Sequence, residues 1–433
     1  MNRTTLAAWH ERWLLTGIGE RTQKTVIGLN WIGLSAIVST LVCGMTTLLA
    51  ARWMGPAQYG RANLALVSTY YIQIFFFLGM TTAVTHYVPQ RETAERKSWT
   101  IDGLRLNSLF AIFTLIVGWI FRRSWAALFG VSSNDFQLAL LWSGGNFLYL
   151  LATTQFIAQE YFKKRAVIEV FFALLYPLFI TIAWRTQRLD GNAYVTSLAL
   201  GYGVAGLFGL LPSLIQVFHI PMIWTRLKTM LNYGVAASAG ALANLLTQTP
   251  ALLIANHHLS IDQIGVLSCY QGGSTQVALL LLATMMQVVF PIASRTPDKQ
   301  VLFAKIHRFF LLAMPLVFLS LMAALYLYFL VVGRHYPIAL VPTIAFSLAA
   351  ALTLQEGVLL WFLASIGKRG RWISSGIGLI GGAINVLGCF LWIPRYHITG
   401  AAAAMAASCA VGIFLCYFAW KAFLGTAQPL SLN

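Results

Sequence analysis

Twelve apolar stretches, near 26–50, 62–88, 104–121, 136–158, 166–184, 193–217, 232–255, 266–292, 309–332, 338–364, 373–393 and 399–420, take up most of this sequence, and nearly every charged residue falls between or at the edges of them. A helix that crosses the ~30 Å hydrocarbon core of a bilayer needs about 20 such residues. The pattern therefore predicts an all-α integral membrane fold with about twelve transmembrane helices. Only 9% of the 433 residues are charged and 58% are hydrophobic, against roughly 25% charged in a soluble domain. That balance excludes a soluble enzyme, a secreted disulfide scaffold and a disordered tail. The five cysteines all lie inside apolar runs and read as small hydrophobes. No cleavable signal peptide is expected, because charges run through the first 24 residues and the first apolar run begins near Val26.

The net charge of +17 is explained by topology. With the N-terminus in the cytoplasm and the spans alternating, 21 of the 29 Lys and Arg residues fall at cytoplasmic ends and 8 at the other side. The positive-inside rule then puts both termini in the cytoplasm, and no nucleic-acid partner is needed. Residues 5–19 place Leu6, Trp9 and Trp13 at helical spacing opposite Glu11 and Arg12, as in a helix lying in the membrane interface.

The two halves echo one another. Leu29-Asn30-Trp31 opens the first stretch and Leu231-Asn232-Tyr233 the seventh, while Gln58-Tyr59-Gly60 aligns with Gln263-Ile264-Gly265. The expected organisation is an interfacial segment (1–25), an N-terminal six-helix lobe (26–220) and a C-terminal six-helix lobe (221–433). Parallel repeats of this kind belong to carriers whose substrate path lies between two lobes.

Sequence signatures of catalysis and metal binding are missing. There is no G-x-x-x-x-G-K-[ST] loop, no H-E-x-x-H and no Cys-x-x-Cys. His257 and His258 are neighbours and do not share a helix face, so no metal site is expected. Gly376, Gly378 and Gly381 spell a dinucleotide fingerprint, but within a membrane span, where close helix packing is the better reading; Gly201, Gly203, Gly206 and Gly209 read the same way. No cofactor and no catalytic residue are expected.

Polar groups inside the spans are more informative, because an ionisable group in hydrocarbon is costly without water or a partner. Glu356 lies roughly 12 Å from the cytoplasmic end of the tenth span, at 1.5 Å per residue. Glu169 is about one turn into the fifth. Either binds a proton or cation and couples it to conformational change, or forms an internal salt bridge. His86, Arg61, Arg105 and Arg91 sit near span ends, either facing a cavity that attracts a phosphate-bearing substrate or snorkelling as topology anchors. Asn244 and Gln248 on the seventh span either line a cavity or join helices by hydrogen bonds. Pro177, Pro212, Pro250, Pro315 and Pro342 fall within spans and are expected to kink them.

Ala51-Arg52-Trp53-Met54-Gly55-Pro56-Ala57-Gln58-Tyr59-Gly60, together with Phe77 to Val88, resembles the polysaccharide-transporter family of flippases, relatives of the multidrug and toxin extruders within one exporter superfamily. Asp262-Gln263-Ile264-Gly265 and the segment Phe290 to Arg295 echo it in the second half. Where relatives often have Arg or Lys, this chain has His86. The resemblance implies a carrier that moves a polyprenyl-pyrophosphate-linked oligosaccharide from the cytoplasmic to the outer leaflet, for O-antigen, capsule or exopolysaccharide assembly. It also implies alternating access with the pyrophosphate held by cations, proton or sodium coupling through Glu356 or Glu169, polymerase or export machinery as partners, and a bacterial inner membrane. The alternatives are an ion-coupled drug or organic-cation antiporter of the same superfamily, which calls for an acidic cavity, and a membrane glycosyltransferase or polymerase. The last calls for a large outer loop with catalytic acids, whereas Asp135, Asp190 and Asp262 stand alone in short ones.

Overall fold

A computed structural model describes residues 20–186, 188–282, 285, 299–366 and 368–424. The interfacial helix expected at 5–19, the end of the eighth stretch and residues 425–433 lie outside them. The chain runs α1 (Glu20–Phe77), α2 (Met80–Tyr87), a 3-10 turn (Val88–Gln90), α3 (Thr93–Ile120), α4 (Arg122–Phe129), α5 (Ser133–Ala158), α6 (Phe162–Arg185) and α7 (Gly191–His219). It continues through α8 (Trp224–Gln248), α9 (Pro250–Ala255), α10 (Ile261–Gln271), a π-helical turn (Gly272–Gln276), α11 (Lys299–Val332), α12 (Leu340–Ala364) and α13 (Lys368–Leu424). The described residues form no β-strand.

Among the described residues, seven helices are long and apolar enough to cross a membrane, and in two of them the apolar tract runs to 48 and 54 residues. Those two, α1 and α13, are each a pair of rods. Gly55 (φ 75°, ψ 170°) followed by Pro56 bends α1 where the loop between the first two stretches was expected; only glycine takes that conformation without strain, and Pro56 adds no donor that would be left unpaired. His397 (φ 51°, ψ −129°) bends α13 in the same way. The second stretch, expected to run unbroken over 62–88, is interrupted at Leu78 and Gly79, both at positive φ. Hydropathy also missed α4, a short helix rich in charge and aromatics that sits beyond the end of α3.

Outward faces are apolar at helical spacing, as in Leu109, Ile112, Phe113 and Ile116 of α3, which is what a lipid-facing stripe requires. Inward faces pack through small residues. A Cβ at Gly206 would collide with the backbone of Leu148 and Tyr149, and one at Gly209 would lie 2.7 Å from the Ala152 methyl. The α5–α7 seam therefore needs those glycines for close packing.

Apart from α10, which packs chiefly on α1, helices α1–α7 pack mainly on one another, as do α8–α13, and α1 and α2 touch both groups. At one end, the second rod of α1 crosses α10 so closely that a side chain on Gly60 or Gly265 would overlap the backbone of the other helix. Asn256 donates to the Gly130 carbonyl there at 2.9 Å, and the Tyr336 hydroxyl donates to the Ala51 carbonyl at 2.8 Å. At the opposite end, the turn at Gly79 presses on the backbone of Gly234 in α8.

The break between α8 and α9 has a specific repair. Pro250 has no N–H to offer the carbonyl of Leu246, four residues back. Asn385 of α13 supplies the missing donor, at 3.1 Å to Leu246 O and 2.8 Å to Thr247 O. Replacing Asn385 with Ala should cost about 1–3 kcal/mol, the usual penalty for an orphaned buried acceptor. The loss should shrink in a Pro250→Ala background, which restores the helical donor. A double-mutant cycle on thermal unfolding in detergent reads both terms, and equal losses in the two backgrounds would refute the account.

Candidate functional site

Three helices from the two groups meet on Tyr233. The contact of Gly79 with Gly234 seats α2 against α8, and His86 then stacks face to face on the Tyr233 ring, with centroids 4.6 Å apart and planes 7° apart. Arg371 of α13 approaches from the other group and donates to the Tyr233 hydroxyl. Tyr87 closes the ring cluster edge-on, 5.4 Å from Tyr233. Gln90 lies within hydrogen-bonding distance of His86, 3.3 Å between side-chain nitrogens.

Beside this cluster the arginines outnumber their acids. The Arg91 guanidinium lies over Trp99 at 4.4 Å, and its buried Nε has no hydrogen-bond partner. Arg226 shares the same ring at 5.5 Å and donates to Ser98 Oγ at 2.6 Å. Arg96 holds the turn before α3 by donating to the carbonyls of Arg91 and Pro89, both at 3.0 Å, and pairs with Glu160 at 2.6 Å. Asp102, fully buried, lies 3.3 Å from Arg105 and 3.9 Å from Arg226. Arg105 also donates to the Ile220 carbonyl. Arginines 91, 96, 105, 226 and 371 and His86 thus lie on this side with four carboxylates, the paired Asp102 and Glu160 and the exposed Glu92 and Glu95. Planar guanidinium groups over aromatic rings suit anionic groups with several oxygens, phosphates above all.

The other expected residues are distributed differently. Arg61 grips Asp135 of α5 with two hydrogen bonds of 2.7 and 2.8 Å, at the end of the molecule away from Tyr233. Asp135, expected to stand alone, is therefore partnered, because the bend at Gly55 aims the second rod of α1 at α5. Asn244 and Gln248 bond to each other at 2.6 Å one turn before the break in α8. Glu169 is buried and accepts from Ser35 at 2.8 Å, with Arg165 2.9 Å away.

Glu356 is in another situation. It is 6% exposed and forms no ion pair among the described residues. Its carboxyl lies against Gly412 and Gly381 of α13, where a Cβ at Gly412 would overlap it. Cys409 is its hydrogen-bonding neighbour and in turn lies 3.3 Å from Thr353. Small residues thus leave room for one carboxyl and its hydroxyl and thiol neighbours, with no basic side chain paired to it among the described residues.

Sequence reasoning singled out His86, Arg91 and Arg105 but not Tyr233, Trp99, Arg226 or Arg371. The last two were counted as topology anchors. Tyr233 stood out only as part of the repeat opening.

Solved structures share this architecture. The chain is similar to a lipid II flippase, MurJ, in an inward closed conformation, at 11% identity over 92% of this chain and 87% of that one, with a TM-score of 0.63. It is similar to a MATE-family multidrug resistance transporter in an inward-facing conformation, at 13% identity over 93% of this chain and 100% of that one, with a TM-score of 0.69. An outward-facing conformation of such a transporter matches at 13% identity over 92% and 97%, with a TM-score of 0.63. The fold is that of the MOP-superfamily transporters. No family model and no curated relative matches the sequence.

The two carboxylates should respond oppositely to neutralisation. Glu356→Gln removes a buried charge that has no counter-ion and should leave the melting temperature in detergent unchanged or raised. Glu169→Gln strands Arg165 and should lower stability by about 1–3 kcal/mol. Thermal melts of both variants at neutral pH check this; a larger loss for Glu356→Gln would overturn it.

Proposed function

We propose that this chain is a flippase that carries a polyprenyl-pyrophosphate-linked oligosaccharide from the cytoplasmic to the outer leaflet, serving O-antigen, capsule or exopolysaccharide assembly. The observation that carries this reading is the set of three arginines, 91, 226 and 371, and His86 on the rings of Trp99 and Tyr233, at the junction of the two helix groups. A sugar–pyrophosphate head group cannot enter hydrocarbon, whereas its lipid tail can stay there. The carrier therefore has to offer cations to the head group and leave a side open to lipid. Arg91, whose Nε lacks a partner, and Arg371, which reaches the cluster from the second group, are the side chains we assign to the pyrophosphate. His86 holds Tyr233 in place between them.

The two six-helix lobes, 26–220 and 221–433, rock about this junction in alternating access. The inner side is the charge-rich side, both termini are cytoplasmic, the membrane is a bacterial inner membrane, and polymerase or export machinery receives the product. Arg105 and Arg61 act in this scheme by fixing α3 and the second rod of α1 through Asp102 and Asp135. Asn244 and Gln248 line the path beside the break in α8.

Glu356 supports a second element of the reading. A buried carboxyl with no cation partner can take up a proton or a sodium ion, and α12 and both rods of α13 move with it. An ion-coupled drug antiporter would use the same carboxyl, but its organic-cation substrate would meet arginines at the junction and be repelled.

Translocation in sealed vesicles containing the purified protein and a fluorescent polyprenyl-pyrophosphate oligosaccharide tests the proposal. Arg91→Ala and Arg371→Ala should each slow transfer by about tenfold or more, the worth of one charge-assisted contact. Glu356→Gln should abolish the response to an imposed pH or sodium gradient. Efflux of organic cations without lipid transfer would replace the flippase by the antiporter.

A further inference from the structure

A sizeable opening lies at the other end, away from Tyr233. It is a groove of about 850 Å³ between the end of the first rod of α1 and the turn joining α11 to α12. Arg52, Trp53, Tyr326, Leu330, Arg334 and His335 are among its walls. Gly333, at φ 98°, ends α11 and turns the chain so that Arg334 and His335 join Arg52 on the rim. Arg52 donates to the Val331 carbonyl at 3.4 Å, and no acid among the described residues pairs with Arg52 or Arg334. Trp53 stacks on Trp184 at 4.8 Å, a tryptophan pair of the kind that sits at the head-group level of a bilayer.

The lower wall continues into lipid. Leu316, Leu319, Tyr326, Leu327 and Leu330 are exposed along one side of α11. From Leu319 to Leu330 is about 16 Å at 1.5 Å per residue, close to the ~15 Å depth of one leaflet. An acyl chain lying on that stripe brings its head group to the rim. The lining holds two guanidinium groups and an imidazole and no carboxylate, the nearest acid being Asp262 beyond Tyr336, so the complementary head group is an anionic phosphate.

We propose that this groove seats an anionic phospholipid of the leaflet at the charge-poor end, with its phosphate on Arg52, Arg334 and His335 and one acyl chain along α11. Because α1 belongs to one helix group and α11 to the other, the bound lipid bridges the two groups. The site stands apart from the basic junction and does not depend on the substrate proposed for it.

Native mass spectrometry of the detergent-purified full chain tests this with dioleoylphosphatidylglycerol and dioleoylphosphatidylcholine. The glycerol lipid should bind more tightly than the choline lipid, and Arg52→Ala with Arg334→Ala should weaken it by about thirtyfold, at roughly a factor of five per arginine. Arg122→Ala with Arg123→Ala, which removes two arginines outside the groove, should change nothing. Equal binding of the two lipids, or equal loss in the two double variants, overturns the proposal. A second reading needs no change of charge. Phosphatidylglycerol brominated on its acyl chains should quench a fluorescence component that Trp53→Phe removes; identical quenching in wild type and Trp53→Phe refutes the placement.

Discussion

Hydrocarbon has no water to offer a freed backbone carbonyl, so every interruption of a membrane helix has to be made good from within the protein. That constraint accounts for where this chain bends and what surrounds each bend. Pro250 frees the Leu246 carbonyl in α8, and Asn385 is aimed at it from α13. Tyr71 of α1 accepts from Thr249 at 2.9 Å, fixing the same break from the opposite group. The bend at Gly55 carries the second rod of α1 to Gly60, where α10 comes into backbone contact. The interruption at Gly79 does the same against Gly234. The breaks at Gly55, Gly79 and Pro250 thus lie at contacts between the two helix groups, whereas the bend at His397 lies within the second.

This arrangement explains why the basic junction forms where it does. The turn at Gly79 is the closest approach of α2 to α8, and His86, Tyr233 and Arg371 lie within two turns of it. A rotation of one group against the other would have to separate the His86 and Tyr233 rings or carry them together. Either movement changes the setting of Arg371, whose hydrogen bond to Tyr233 ties α13 to that ring. Binding of a multivalent anion at the junction would thereby act on the relative position of the groups, which is the differential contact that alternating access requires.

Hydropathy made the fold class legible, because the need for about 20 apolar residues per crossing leaves few alternatives. It placed breaks between 50 and 62 and between 393 and 399, where Gly55 and His397 bend α1 and α13, but did not show that the helix resumes directly on the far side of each bend. Both bends fall in gaps between apolar stretches, each with a proline nearby, Pro56 and Pro394, but the residue that takes the positive φ, Gly55 in one and His397 in the other, was not singled out. The site was legible only in its first half. His86 and Arg91 stood near a span end beside the motif that carries the family resemblance. Arg226 and Arg371 lie far away in sequence and were indistinguishable from other basic residues at the charge-rich ends. Tyr233 and Trp99 are ordinary aromatics until folding stacks a cation or an imidazole on them. Partnership is decided by tertiary contact: Asp135 meets Arg61 only after α1 has bent.

The two buried glutamates carry this argument furthest, because one sequence signal has two structural outcomes. Glu169 has Arg165 one turn before it on the same helix, so its partner travels with it whatever the helix groups do. Its ion pair can therefore persist through a conformational change and couples weakly to it. Glu356 has glycines at 381 and 412 around it and no cation, and these belong to the two rods of α13 joined at His397. Burying an unpaired carboxylate is costly, so the charged form favours any arrangement that admits water or a cation between α12 and α13, and the neutral form favours closure. In the proposed cycle a carboxyl so placed would convert occupancy by a small cation into a preference for one packing of the second group, a preference that a pre-paired carboxyl lacks.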